Sequence, residues 1–206
     1  MNSELHNRKR VVAASGNTGE CSWTITGRAG KYILTISGNG AMDDYNDSAE
    51  SPWSKLKDEI QTLVIEEGVT SVGARSFINC SKLASASLPG SVIAIGNGAF
   101  SGCRKLSSAV IPDSVTTIGE WVFSGCHKLT SVIISGSVTE IGELAFFFCR
   151  KLASVTNYSV VPQEVLGEVF PHVKDLELRV PREALEAYKR SSTWKHFGNI
   201  ASIDEE

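Results

Sequence analysis

The chain has 206 residues, of which 42% are hydrophobic and 21% are charged, and its net charge is -3. This length is enough for one globular domain or one short repeat array, and the balanced charge gives no sign of nucleic-acid binding. The sequence contains no run of about 18 apolar residues and therefore predicts no transmembrane segment.

The N-terminal region divides into a leader and a cap. Residues 1–15 are polar and basic without periodicity, and we expect a disordered leader there. They lack the apolar region of a secretory signal, so either the protein stays inside the cell or a signal was removed or left out. Residues 16–60 are predicted to form a cap, because residues 21–38 alternate around Gly27 and Gly30 like a β-hairpin and Pro52 favours the start of a short helix.

An acidic loop follows the predicted hairpin. It carries Asp43, Asp44, Asn46 and Asp47, whose oxygen atoms are of the kind that bind calcium. Counted from Asp44, the loop lacks the glycine at the sixth place and the glutamate at the twelfth that an EF-hand carries. We favour a solvated loop and predict no metal.

A 23-residue unit recurs from residue 73 onwards and organises the rest of the chain. Its constant columns are Phe77, Phe100, Phe123 and Phe146; Cys80, Cys103, Cys126 and Cys149; Leu83, Leu106, Leu129 and Leu152; Val92, Val115, Val138 and Val161; and Gly73, Gly96, Gly119 and Gly142. A fixed period of 20 to 29 residues with a Leu-x-x-apolar-x-apolar core predicts a leucine-rich repeat solenoid, in which stacked units share one core.

The predicted solenoid covers residues 61–180 and has about six rungs of short parallel β-strands. Five rungs are expected at 63–65, 86–88, 109–111, 132–134 and 155–157, and a sixth is expected within 173–181 at an offset of 21 residues. Extended segments and a short helical turn, as at 97–101, should form the back of each unit. Residues 181–206 are predicted to form a helical C-terminal cap that covers Phe147 and Phe148.

The repeated cysteines are interpreted as a packing column. Adjacent rungs lie about 4.8 Å apart, so distance alone does not exclude disulfides between them. We expect free, buried thiols that donate to backbone carbonyls, because one repeated environment should treat all four alike.

No enzyme motif is present, so we expect no catalytic activity and no cofactor. His127 next to Cys126 raises the alternative of a zinc site. The repeat equivalents of His127 are Arg104 and Arg150, however, and a solvent-facing residue is the simpler interpretation.

The candidate binding residues are those that the repeat leaves facing water. A basic ridge is predicted along one edge, and the outward face of the strands combines a serine column with an apolar pair. These residues are Lys82, Lys105, Lys128, Lys151, Arg104 and Arg150 for the ridge, and Ser85, Ser108, Ser131, Ser154, Val110 and Ile133 for the strand face. The ridge serves either solubility and edge protection or an anionic ligand surface.

The repeats resemble those of the BspA-like leucine-rich repeat proteins, whose units follow Ile-Gly-x-x-Ala-Phe-x-x-Cys-x-x-Leu-x-x-Val-x-Ile-Pro-x-Ser-Val-x-x-Ile. Residues 95–118 match this pattern closely. The segment 34–42 with Pro52 and Trp53, and the ending around Tyr188 and Trp194, are also similar to that family. The resemblance covers roughly residues 20–200.

This resemblance implies a bacterial protein that is displayed on the cell surface or secreted and acts in adhesion. We therefore expect a non-enzymatic recognition module, monomeric, that binds a protein or carbohydrate ligand, with anionic ligands suited to the ridge. The alternative is a structural or assembly protein of the cell envelope that pairs with itself or with a larger partner.

Overall fold

The computed structural model describes residues 12–46, 51–163, 165 and 167–204. In chain order, the strands are β1 (Val12–Thr18), β2 (Cys21–Arg28), β3 (Lys31–Gly38), β4 (Gly40–Ala41), β5 (Ile60–Ile65), β6 (Val69–Val72), β7 (Ser85–Ser87), β8 (Ala94–Ile95), β9 (Ser108–Val110), β10 (Thr117–Ile118), β11 (Ser131–Ile134), β12 (Glu140–Ile141), β13 (Ser154–Asn157), β14 (Glu177–Val180) and β15 (Asn199–Ser202). Helical structure in the described residues consists of α1 (Leu185–Arg190) and single 3₁₀ turns at Ser54–Leu56, Val173–Asp175, Arg182–Ala184 and Trp194–His196. None of these described helices is long and apolar enough to cross a membrane.

The strands form the two faces of a coil. The front consists of two sheets with the orders β1-β2-β3-β5-β7 and β9-β11-β13-β14-β15, and the back is one sheet with the order β12-β10-β8-β6-β4. Neighbouring front strands pair in parallel one repeat apart, so that Val132 lies opposite both Ala109 and Val155. Because each unit supplies one front and one back strand, the predicted leucine-rich repeat solenoid is confirmed.

At the N-terminal end the first three strands pair antiparallel, and the parallel pairing of the solenoid begins after them. β2 and β3 form the predicted hairpin, with Arg28 opposite Lys31 at its turn, and β3 then pairs in parallel with β5, the first predicted rung. β1 corrects the prediction of a disordered leader over residues 1–15, because residues 12–15 pair with β2 as part of this strand. Small residues such as Ala14 and Gly16 give β1 little apolar periodicity, which is why the sequence pattern hides it. Residues 1–11 lie outside the described residues.

The phenylalanine column forms one stack through the core. Neighbouring ring centroids lie 5.3 to 5.4 Å apart, and the rings are almost fully buried. Trp53 extends the stack by 5.4 Å at one end and Phe170 by 5.1 Å at the other. Trp194 lies 5.5 Å beyond Phe170. The stack therefore reaches past the repeats into both ends of the molecule.

The cysteine column runs beside this stack, and its thiols are free and buried. Cys103, Cys126 and Cys149 each donate to the carbonyl oxygen of the phenylalanine in the preceding repeat, over 3.1 to 3.3 Å. These contacts confirm the predicted bonding for three of the four repeat thiols, whereas Cys80 has no such bond in the described residues. Burial raises the pKa of the Cys80 and Cys149 thiols to about 12, and it raises the pKa of the Cys103 and Cys126 thiols well above 9.0.

The glycine column allows successive repeats to approach each other where the back strands end. A Cβ atom on Gly96 would lie 2.6 Å from the backbone nitrogen of Ala74, and one on Gly119 would lie 2.8 Å from that of Asn97. Contacts this short would force the two repeats apart. Glycine is needed at these positions to let the chains stack.

The turn that follows each back strand is not helical, in contrast to the prediction for residues 97–101. Ala99 donates to the Gly96 carbonyl and Ser101 to the Gly98 carbonyl, over 3.2 and 3.0 Å. Between these two turns Gly98 has a φ of 64°. A left-handed residue at this place prevents a continuous helix. We refer to the surface formed by these stacked turns as the turn face.

The valine column ends one repeat earlier than predicted. Val161 is 69% exposed, whereas Val138 is buried. The chain gains a residue in this segment, because Val165 bridges to Ile141, which is 24 positions earlier. Gln163 is buried instead, and its side-chain amide donates to the Val138 carbonyl over 2.9 Å.

The C-terminal end contains the predicted sixth rung and one further strand. β14 pairs with β13 at an offset of 23 residues, with Leu178 opposite Val155, and not at the predicted 21. α1 and the 3₁₀ turns supply the predicted helical part of the cap, but β15 pairs in parallel with β14 inside the same region. The sequence pattern misses β15 because Trp194 and Phe197 have a helical spacing, while the 3₁₀ turn ends at His196 and Phe197 is extended.

Buried hydrogen bonds fix the cap to the last repeats. The Tyr188 hydroxyl donates to the Ser159 carbonyl over 3.1 Å, and the Trp194 indole donates to the Gln163 carbonyl over 2.9 Å. The Gln163 side chain also accepts from the Asn157 amide over 2.9 Å. Because every member is buried, removing any one of them would leave its partners unsatisfied in the core.

The front is interrupted between β7 and β9, a place we call the seam. No backbone hydrogen bond joins these two consecutive strands in the described residues, whereas the back sheet continues through β6, β8 and β10. A void of about 10 Å³ at the seam is lined by Ala86 and Ala109. These alanines lie opposite the larger Leu63 and Val132 on their paired strands, so less side-chain volume fills the core here.

Candidate functional site

The outward side chains of the front strands form a surface that we call the strand face. Ser131 lies opposite Ser108 on one side and Ser154 on the other, and Ser85 lies opposite Thr62 across the preceding pair. All four serines of the predicted column are exposed or half-buried. Because alternate side chains of a strand point to the same side, these hydroxyls form a row along the solenoid.

The second row of the strand face has an apolar centre. Val110 and Ile133 are direct neighbours on β9 and β11, and their side chains are 59% and 36% exposed. Thr156 continues the row on β13. The structure thus brings together the two apolar residues that the sequence singled out, next to the hydroxyl row.

Two charged residues extend this face beyond the predicted site. Glu177 lies opposite Ser154, and Arg179 lies opposite Thr156. Their side chains form an ion pair with 3.1 Å between the Arg179 Nε and a Glu177 carboxylate oxygen. Both stand 23 residues after the positions they continue, so the repeat period would have found them if the sixth rung had been placed in register.

The lysines of the predicted ridge lie on successive rungs, each directly before the leucine of its repeat. All four are exposed, and within the described residues none of them forms an ion pair. They are Lys82, Lys105, Lys128 and Lys151. A row of cations at the rung spacing of about 4.8 Å leaves a positive edge next to the strand face.

The two arginines expected to flank this ridge lie in different surroundings. Arg104 is exposed. The guanidinium carbon of Arg150 lies 5.8 Å from the ring centroid of Phe148, over the face of the ring. Arg150 therefore belongs to a group of residues on the turn face as much as to the ridge.

That group is formed by Trp121, Phe147 and Phe148, which we call the aromatic patch. The ring centroids of Trp121 and Phe147 lie 6.3 Å apart, and those of Phe147 and Phe148 lie 4.1 Å apart. The prediction that the C-terminal cap covers Phe147 and Phe148 is wrong, because Phe148 is 51% exposed. The cap packs on the end of the phenylalanine stack and leaves the turn face open.

The acidic loop uses its carboxylates on the backbone. A carboxylate oxygen of Asp43 accepts from the Gly19 amide, and one of Asp44 accepts from the Ala74 amide, each over 2.6 Å. Asp47 lies outside the described residues. These contacts give both aspartates a role in holding the N-terminal strands to the first repeat.

The alternative of a zinc site at His127 has no support in the described part of the chain. There, no three His, Cys, Asp or Glu side chains come together as metal ligands. The Cys126 thiol donates to the Phe100 carbonyl over 3.3 Å, which assigns it to the packing column.

The fold is similar to those of known bacterial protein structures. The leucine-rich repeat protein of T. pallidum is similar over 91% of this chain and 84% of its own, with 24% identity and a TM-score of 0.53. The pneumococcal vaccine antigen PcpA is similar over 81% of this chain, with 22% identity and a TM-score of 0.54, and the match spans 42% of that protein. At these identities the structures support the fold alone.

Sequence comparison identifies the family. No curated protein matches the chain. Residues 55–170 match the model of the BspA type leucine rich repeat region in six copies. This match covers more than half of the chain, and its columns are the residues that form the buried core. The chain belongs to the BspA-type leucine-rich repeat family.

Proposed function

We propose that this protein is a non-enzymatic recognition module that binds a protein or carbohydrate ligand on its strand face. The surface is broad and is held by parallel strands, so it needs little ordering when a ligand binds. Cell-surface display or secretion, and a role in adhesion, belong to the same proposal. The family membership and the similarity to a pneumococcal protein described as a vaccine antigen support it.

The observation that carries the proposal is the exposed apolar pair Val110 and Ile133 on a rigid strand pair. Exposed apolar residues on a regular sheet expose the protein to aggregation unless a ligand covers them. The neighbouring serines offer hydroxyl groups that donate and accept hydrogen bonds at the border of this patch. Such a combination suits a weak to moderate contact with a polypeptide or a sugar.

The lysine ridge supports an anionic character for part of that ligand. Four cations on one edge raise the local concentration of negatively charged partners and speed their association. Because exposed charges act through water, this contribution weakens as salt rises. The ridge therefore predicts a salt-dependent affinity.

The test is a binding screen against extracellular matrix proteins and glycans at low and high salt. For any ligand that binds, we expect V110S/I133T to weaken binding at least about tenfold, as expected for residues at the centre of a contact. Replacing all four ridge lysines by serine should remove the salt dependence. Ser and Thr are the residues that the same row already carries at Ser87 and Thr156, so the fold should tolerate the changes.

The matched control is I93T, directly before the back strand β8. Ile93 is 55% exposed, and its repeat equivalents are Thr116 and Thr139, so the change is of the same kind but lies away from the strand face. Equal loss of binding in V110S/I133T and in I93T would contradict the proposal. Binding that survives both the strand-face and the ridge variants would do so as well.

A further inference from the structure

The aromatic patch occupies positions where the immediately preceding repeat carries small residues. Trp121 stands at the place of Gly98, and Phe148 at the place of Gly125. Phe147 stands at the place of Ser124. Hydrogen bonds confirm this stacking, since the Gly125 amide donates to the Phe147 carbonyl over 2.8 Å. The repeat fold is thus satisfied without aromatic residues at any of these three positions.

Two of these residues also adopt a backbone conformation that disfavours them. Trp121 has a φ of 59° and Phe148 a φ of 57°, close to the 64° of Gly98 and the 71° of Gly125. A left-handed backbone costs a side-chain-bearing residue roughly 1–2 kcal/mol relative to glycine. Arg75, Asn79 and Leu144 adopt the same conformation at the equivalent positions of other repeats, so the turn imposes this cost on any residue other than glycine.

Burial does not offset the strain in the single chain. Trp121 is 43% exposed and Phe148 is 51% exposed. Both residues therefore combine a strained backbone conformation with an apolar side chain that is exposed to water. A surface that covers them would remove the second cost, and aromatic residues are the ones that contribute most at protein interfaces.

The ring geometry distinguishes between kinds of occupant. The planes of Trp121 and Phe147 meet at 85°, and those of Phe147 and Phe148 meet at 46°. Rings set at such angles do not form one flat platform on which consecutive sugar rings could stack. Edge-to-face arrangements are typical of aromatic clusters that interlock with other side chains.

Acidic and basic residues flank the aromatic patch. Glu120 and Glu143 lie together where the turns begin, and the Trp121 amide donates to the Glu143 carbonyl over 3.1 Å. His127 and Arg150 follow the turns along the chain, and the Arg150 guanidinium lies over Phe148. In the described part of the chain neither glutamate and neither basic residue forms an ion pair. Acidic residues where the turns begin and basic residues after the turns make the patch complementary to itself.

We propose that the aromatic patch is the centre of a two-fold symmetric interface between two copies of this chain. A two-fold axis that lies in the plane of the interface, perpendicular to the line from Glu120 to Arg150, brings the two turn faces together and exchanges these two positions between the copies. Arg150 then meets Glu120 of the second copy, and Trp121 meets its Phe148. Symmetric dimers form through such self-complementary surfaces. The interface replaces the monomer expected from sequence and is independent of what the strand face binds.

The experiment is sedimentation velocity over a range of protein concentrations, from about 1 µM to about 500 µM, which spans weak to moderate dimers. We expect a concentration-dependent dimer for the unaltered chain. The variant W121G/F148G should raise the dimer Kd at least about thirtyfold, since both aromatic anchors are lost. The same variant should keep or raise the Tm, because glycine relieves the left-handed strain.

The charge swap tests the two-fold arrangement itself. R150E should raise the dimer Kd by about fivefold, as expected for an exposed pair, and R150E/E120R should restore it. I93T, an exposed apolar residue outside the patch, serves as the control and should leave the dimer unchanged. A monomer at every concentration would overturn the proposal. So would a dimer that W121G/F148G leaves intact, or a charge swap that does not restore association.

Discussion

The repeated cysteines give the core a proton-linked stability. Burial raises the pKa of the Cys80 and Cys149 thiols to about 12, compared with 9.0 for a thiol in water. Because the folded state holds these protons and the unfolded chain releases them, the thiols contribute fully below pH 9. Their contribution is lost as the pH rises toward 12.

We therefore expect the free energy of unfolding to fall between about pH 9 and about pH 12. Each buried thiol should add roughly 1.4 kcal/mol per pH unit to the slope. Urea titrations at several pH values would measure it, with C149A as the comparison. The difference between the two slopes should equal the share of one thiol, because all other titrating groups are common to both. Identical slopes would exclude a thiol origin.

At the level of single residues, the sequence predicted best those positions that recur in every repeat. Equal cysteines in one repeated environment predicted the carbonyl bonds of Cys103, Cys126 and Cys149, but Cys80 lies in the first repeat of the column and lacks this bond in the described residues. Phe170 escaped prediction because one inserted residue moves it off the 23-residue period, although it stacks 5.1 Å from Phe146. Phe148 was misplaced because an extra apolar residue near the end of an array suggests burial, and the direction of the cap cannot be derived from periodicity.

Among the elements, the C-terminal cap depends on a single buried glutamine. The Gln163 side chain bonds to both the Val138 carbonyl and the Asn157 amide, and its backbone carbonyl accepts from the Trp194 indole. A leucine at this position would keep the volume and the backbone contact. It would leave the Val138 and Asn157 groups unpaired in the core.

We expect Q163L to lower the free energy of unfolding by about 2 to 4 kcal/mol, from two unsatisfied buried groups. Thermal or urea unfolding would measure the change. Y188F is the smaller comparison, since it removes one bond to the Ser159 carbonyl and should cost about 1 to 2 kcal/mol. A loss in Q163L no larger than in Y188F would show that the network does not hold the cap.

The strands were predictable in proportion to their regularity. The front strands of the repeats follow a period of two within a period of 23, and their register emerged from both. β1 and β15 have neither signal. β1 is built from small and polar residues, and β15 follows a stretch whose aromatic spacing resembles a helix, so their pairing depends on an edge that only the folded neighbour provides.

For the whole molecule, the seam divides the front into two hydrogen-bonded parts. The Thr130 amide donates to the Ser107 carbonyl over 2.9 Å, whereas the equivalent Ser107 amide has no backbone partner on the β7 side in the described residues. We expect the Ser107 amide to exchange with solvent at least about a hundredfold faster than the Thr130 amide, because opening the seam breaks no hydrogen bond there. Hydrogen exchange followed by NMR would measure both rates. Equal protection would mean that the front sheet is continuous.

The overall architecture was predictable because each repeat restates it, while the site was predictable only in part. The serine row and the Val110–Ile133 pair followed from the columns. The aromatic patch did not, since nothing in the sequence distinguishes an aromatic residue exposed on a turn from one buried beneath a cap. That distinction depends on where the chain goes after the repeats.

The seam also determines how the molecule can bend. The back sheet is continuous across the seam, whereas opening the front along this line would break no hydrogen bond between β7 and β9. We therefore expect the curvature of the strand face to vary more at this line than between paired strands. A ligand that contacts Ser85 on one side of the line and Val110 on the other would fix that curvature. The affinity of such a ligand would therefore depend on the curvature of the solenoid.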